Sequence, residues 1–158
     1  MLRRLLFSLI PITTLLVVFA GSVTTADAHA ALTRSSPASQ AQLASPPASI
    51  DLWFSEPLEP RFSTFELYGS DGRLRPVDNI TVDTTDPKHL SGLPRELSPG
   101  LYTVTYRTLS TLDGHEWRGS YSFAVLDKTG NVPAGTAFEP DLASGSTLAS
   151  AVGRWLTF

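Results

Sequence analysis

The chain has 158 residues, 12 Lys and Arg against 15 Asp and Glu for a net charge of −3, no cysteine, and Met1 as its one methionine. With no basic cluster in the sequence, this balance speaks against a nucleic-acid partner. The lack of cysteine excludes a disulfide framework and thiolate metal ligands.

Residues 1–28 have the build of a secretory signal. Arg3 and Arg4 precede an apolar run from Leu5 to Ala20, and small residues end the segment at Ala26-Asp27-Ala28. Pro11 interrupts the run, which favours cleavage over a retained membrane anchor. A cut after Ala28 removes Met1 and makes His29 the new amino terminus. The remaining 130 residues suit one exported domain, in the periplasm or on the outer face of the cytoplasmic membrane.

Beyond the signal, short apolar runs alternate with Pro, Gly, Ser, Thr, Asn and Asp, and no helical repeat is sustained before residue 142. This pattern predicts an all-β domain. Ile50 to Phe54 reads as a strand ended by Ser55-Glu56-Pro57, with Trp53 taken as an inward core residue. Phe62 to Tyr68 reads as the next, closed by a Ser70-Asp71-Gly72 turn. Weaker candidates run from Arg73 to Val77, Asn79 to Val82 and Lys88 to Leu93. Gly100 to Thr108 sets Tyr102, Val104 and Tyr106 on one face, and Ser120 to Leu126 does the same with Tyr121, Phe123 and Val125. About seven such strands fit an immunoglobulin-like Greek-key sandwich, and Tyr102, two residues past Gly100, is placed for a tyrosine corner. The domain is expected to span 29–126. Residues 127–158 then read as a flexible linker and a short apolar end, in which Leu148, Val152, Trp155 and Leu156 fall near helical spacing.

Two places carry chemistry. After cleavage, His29 offers its α-amine and its imidazole to one metal ion as a chelate. Thr111-Leu112-Asp113-Gly114-His115 lies between the two best strands, where Asp113 and His115, two residues apart in an extended segment, point the same way. Gly114 lets the backbone pass close to an ion. Two imidazoles, an amine and a carboxylate form a nitrogen-rich set suited to one Cu(II) ion per chain. Each piece also has a plain alternative, since Asp-Gly is commonly a turn. His89 reads as a surface or edge residue. Glu56 and Glu116 could accept hydrogen bonds behind the ligands but read first as solvated turn carboxylates, and Trp117 reads as a shield beside the site.

Several motifs together resemble the CopC family of exported copper-binding proteins. These are His29-Ala30-Ala31-Leu32, Ser36-Pro37-Ala38, Leu52-x-Phe54-Ser55-Glu56-Pro57, Pro99-Gly100-x-Tyr102-x-Val104, Ser110-x-x-Asp113-Gly114-His115 and Gly119-x-x-x-Phe123-x-Val125. The resemblance implies a small Greek-key barrel or sandwich and a non-enzymatic Cu(II) carrier or buffer serving copper resistance or homeostasis. It assigns His29, Asp113 and His115 as the ligands. The spacing from Ser110 to Asp113 departs slightly from the form common in the family. Some members carry a second, Met-rich Cu(I) site, for which the processed chain has no methionine.

The apolar end resembles the entry to the first membrane helix of CopD-type copper-transport proteins, which implies a CopD-like membrane transporter as a partner. The 12 residues from Thr147 onward are too few to span a bilayer, so membrane association would be peripheral. Two other readings stay open at this point. One is an oxidative enzyme with a histidine-brace copper site, and the other is a metal-free immunoglobulin-like interaction module.

Overall fold

The structure is a computed structural model that describes residues 30–142. His29, the signal segment and the apolar end from 143 onward lie outside the described residues. Nine strands form two sheets, β1 (Leu32–Ser36), β2 (Gln42–Leu43), β3 (Ile50–Phe54), β4 (Thr64–Gly69), β5 (Leu74–Arg75), β6 (Val77–Val82), β7 (His89–Pro94), β8 (Gly100–Leu109) and β9 (Glu116–Val125). One sheet has the order β1-β3-β7-β6 and the other β2-β9-β8-β4-β5. All pairings are antiparallel except that of β2 with β9. The result is the all-β sandwich that the alternating pattern predicts, with no helix among the described residues.

Period-2 alternation sorts each long strand between core and surface. Ile50, Leu52 and Phe54 of β3 and Leu90 of β7 face Phe65 and Leu67 of β4, Val104 of β8, and Phe123 and Val125 of β9, all essentially buried. Trp53 is therefore forced outward, contrary to the inward reading. It lies between inward-facing Leu52 and Phe54, and its ring is stacked on His89 across the strand pair. His89 likewise sits within the sheet and not at its edge, because β7 is flanked by β3 and β6.

β1 and β2 were not foreseen, and β9 begins four residues earlier than its alternation suggests. β1 is polar and mostly exposed, so it has no amphipathic signal and is defined by its ladder with β3. Asn79, at φ 52, lies where the β6–β7 register shifts between Asp78 and Thr81. That bulge interrupts the ladder at the start of β6, where the sequence placed a break between its candidates at Arg73–Val77 and Asn79–Val82.

The expected tyrosine corner is present, with the Tyr102 hydroxyl donating to the Ser98 carbonyl at 2.7 Å. Part of the stretch expected to be a flexible linker is packed against the five-stranded sheet. The Phe138 ring meets Tyr68 at 4.9 Å between centroids, and the Thr103 hydroxyl donates to the Phe138 carbonyl at 2.8 Å. A single aromatic anchor in a Gly- and Pro-rich stretch gives no periodicity, so composition alone hides it.

Gly92 occupies a core-facing position of β7 because nothing larger fits. A Cβ there would lie 2.8 Å from both Phe65 Cζ and Val77 Cγ1. Gly92→Ala is expected to destabilise the domain by about 1–3 kcal/mol through overpacking, read as a lower urea midpoint with an unchanged m-value.

Candidate metal centre

The loop that joins β8 to β9 is built on Ser110. This residue is buried, forms an isolated bridge with Leu58, and donates its N–H to the His115 carbonyl at 3.0 Å. Its hydroxyl accepts the Leu112 N–H at 3.1 Å, and its carbonyl accepts the Gly114 N–H at 3.1 Å. Thr111 donates its N–H to the Pro57 carbonyl at 3.0 Å. Gly114 stands at φ 71, in the left-handed region that a side chain disfavours.

Asp113 and His115 do meet, by a different route from the one expected. The segment is a turn and not an extended run, and the Asp113 carboxylate closes it. Its Oδ1 accepts the His115 N–H at 3.0 Å, and its Oδ2 pairs with the His115 Nδ1 at 2.7 Å. This is an Asx-type closure, in which a short carboxylate substitutes for a backbone acceptor two residues on.

The electrostatics follow from those contacts. The His115 N–H, then its ring, then the Ser110 hydroxyl hold the Asp113 carboxyl down to about 2. The hydrogen bond to Asp113, then the Asp113 charge, with a contribution from the Glu56 charge, push the His115 imidazole above its ordinary value. The imidazole side chain is 67% exposed, so an ion in solution can reach it. An ion that takes both groups either displaces the proton shared by Nδ1 and Oδ2 or turns the ring to present Nε2.

The beginning of the described chain is fixed against the same region. Ala30 is fully buried. Ala31 donates its N–H to the Ser55 hydroxyl at 3.0 Å, and its carbonyl accepts the Ser55 N–H at 2.9 Å. Residues 55–58 thus touch both the chain start, through Ser55, and the Asp113–His115 loop, through Pro57 and Leu58.

Glu56, between those contacts, is not the solvated turn carboxylate that the sequence suggested. Its Oε2 is buried without a hydrogen-bond partner among the described residues, and its charge is felt at His115. An orphaned carboxylate oxygen is costly unless something cationic or protic completes it. The position beside Pro57 gave no sign of this, because the burial comes from the fold around it. Trp117, 37% exposed at the start of β9, hydrogen-bonds to Tyr106 and so forms part of the wall at this end of the sandwich. Asp113 and His115 are thus brought together, whereas His29 lies outside the described residues. Among the described residues, no group of three or more His, Cys, Asp or Glu side chains is placed to hold a metal ion.

Comparison with known proteins gives consistent matches. The sequence pattern of the CopC domain matches residues 32–126. Protein YobA of Escherichia coli K12 is 37% identical over 99 residues, covering 62% of this chain and 79% of its own. Copper resistance protein C of Xanthomonas campestris pv. juglandis is 35% identical over 128 residues, covering 76% of this chain and 99% of its own. Copper transport protein CutJ of Bacillus subtilis is 29% identical over 134 residues, and the match spans only 24% of that longer protein. The crystal structure of CopC from Methylosinus trichosporium OB3b superimposes with a TM-score of 0.57 at 31% identity, covering 62% of this chain and 94% of that one.

The Asp113–His115 contact can be measured without any metal. In an NMR titration of the metal-free protein, the His115 imidazole is expected to titrate above its ordinary midpoint of about 6.5. Asp113→Asn should bring that midpoint down, because the acceptor and the negative charge both go. An unchanged midpoint in the variant would show that the pair does not exist in solution.

Proposed function

The chain belongs to the CopC domain family, and from that premise we propose that it carries one Cu(II) ion per chain outside the cytoplasm, held by His29, Asp113 and His115. It is a copper-handling protein and not an enzyme, which removes both the histidine-brace oxidative reading and the metal-free interaction module.

The observation that carries the ligand assignment is the shared anchorage on residues 55–58. His29 precedes Ala31 by two residues, and two residues span at most about 7 Å. Ala31 is tied to Ser55, and the loop of Asp113 and His115 is tied to Pro57 and Leu58. This anchorage supports a site in which a terminal amine, two imidazoles and a carboxylate would share one ion. Such a nitrogen-rich set suits Cu(II), the divalent ion that tops the affinity order for these ligands. Glu56 adds negative charge, and its unsatisfied oxygen suits the N–H of a ligand or an ion-bound water. With neither Cys nor any Met beyond Met1, the processed chain lacks the soft ligands that favour Cu(I).

Export would complete this site, since only cleavage after Ala28 gives His29 a free amine. The receiver would be a membrane copper transporter of the CopD type. That proposal is consistent with a relative named as a copper transport protein, of which this domain matches about a quarter.

Equilibrium titration with Cu(II) tests the assignment. Relative to the processed protein, a form with one extra residue before His29 should bind at least about 100-fold more weakly, roughly 2.7 kcal/mol; equal affinity would refute the terminal chelate. Binding should also weaken on acidification, because a proton competes for each nitrogen. As the His115 imidazole is held above 6.5, its share of that loss begins above the pH at which an ordinary histidine would contribute. In His115→Gln this share of the pH dependence should be lost, leaving that of the α-amine and His29.

A further inference from the structure

β9 is ten residues long, but its neighbour on the outer side, β2, has only two, Gln42 and Leu43. Around that contact Gln40 donates its N–H to the Ser122 carbonyl at 2.7 Å, and Ala124 donates its N–H to the Ala41 carbonyl at 2.8 Å. Even-numbered residues of β9 therefore turn their backbone groups to this side, while odd-numbered ones pair with β8. Nearer the Asp113–His115 loop, the N–H and C=O of Glu116, Arg118 and Ser120 point the same way, and no described residue hydrogen-bonds to them. An open row of backbone donors and acceptors is a template for another strand.

The other edges are guarded, and this stretch is not. β5 has two residues, β1 is bulged between Leu32 and Arg34 and followed by Pro37, and β6 shifts register between Asp78 and Thr81. Short strands, bulges and proline all blunt an edge against pairing. From Glu116 to Ser120 the ladder with β8 is regular, with no bulge to twist the edge away. Trp117, in the middle of this stretch, is a large aromatic left partly exposed.

Charge selects the strand that fits. Glu116 and Arg118 share the outer face of the sheet, since Tyr121, Phe123 and Val125, of the opposite parity, are buried. Arg118 Nε donates to Glu116 Oε1 at 2.6 Å, and Arg107 of β8 approaches the other Glu116 oxygen at 3.8 Å. A second β9 laid antiparallel along this edge must pair even-numbered residues with even-numbered ones, so that donors meet acceptors. Centred on Glu116 or on Arg118, that pairing opposes like charges. Centred on Trp117, it sets each Glu116 opposite Arg118 of the second copy and brings the two indoles together at the axis. We propose that the protein self-associates as a two-fold dimer through antiparallel β9–β9 pairing centred on Trp117, joining the two five-stranded sheets. His115 then stands two residues from the axis in each copy, so the Asp113–His115 loops flank the junction. The Gly114 turn bounds the ladder at one end and the Gln40–Ser122 contact at the other. So short a contact makes the dimer a weak one.

Sedimentation velocity on the processed protein, from micromolar to millimolar concentration, should show a monomer giving way to a dimer. Glu116→Arg and Arg118→Glu, each alone, oppose like charges across the axis and should weaken the dimer at least about 10-fold. An equimolar mixture of the two variants should recover it, because each strand then faces opposite charges, a result that damage to folding does not produce. Amide exchange at Glu116 and Arg118 should slow as protein concentration rises. A protein that stays monomeric at millimolar concentration would overturn the proposal. So would a dimer that both single substitutions leave intact, or a mixture that fails to associate. Slow exchange of the same two amides in the dilute monomer would also overturn it, because another part of the chain would then cover the edge.

Discussion

Ser55 holds Ala31 through both of that residue's backbone groups, and the proposed metal site depends on this contact more than on any other. Each hydrogen bond contributes a net of only about 1 kcal/mol. Their effect is positional, because they remove the freedom of a chain terminus that would otherwise fray. With Ala30 buried just ahead of them, the processed amino terminus would begin from a fixed point. The neighbouring residues Pro57 and Leu58 hold the other half of the site. One short segment after β3 therefore holds both the start of the described chain and the Asp113–His115 loop, more than eighty residues apart in sequence.

A consequence concerns charge. Asp113, ionised down to about 2, and Glu56, with one oxygen out of solvent, place negative charge around His115. In the metal-free chain that charge favours a proton on the imidazole. A divalent cation answers the same field with more charge, so proton and ion compete for one place. If His115 is a ligand as proposed, the contact that orients it would also set the pH at which the ion enters.

The sequence made the long strands legible because their alternation reflects burial on one face only. β8 and β9 were found that way, β3 from its apolar run and the turn that ends it, and Tyr102 was correctly read as a corner from its distance to Gly100. Trp53 was misplaced because its size was weighed above its position, although Ile50, Leu52 and Phe54 already claimed the inner face. β1 was invisible, as a polar strand is defined by its partner. Asp113 and His115 were legible as a pair from their spacing, but the turn that joins them depends on Ser110, whose buried hydroxyl belongs to the tertiary fold. Glu56 was named as a possible acceptor beside the site, but its burial was not foreseen, since a glutamate before proline looks the same whether water reaches it or not. The surroundings of His89 were missed for a similar reason, since Trp53 and Asp51 reach it from β3 and Asp83 from the turn after β6.

The central claim is that one segment brings a free amino terminus and the Asp113–His115 loop to a single ion. An electron paramagnetic resonance spectrum of the processed protein with one equivalent of Cu(II) measures this directly. The account predicts an axial spectrum with coupling to three nitrogens, one amine and two imidazoles, reduced in both His29→Ala and His115→Gln. A spectrum without nitrogen coupling, or one that either substitution leaves unchanged, would contradict it.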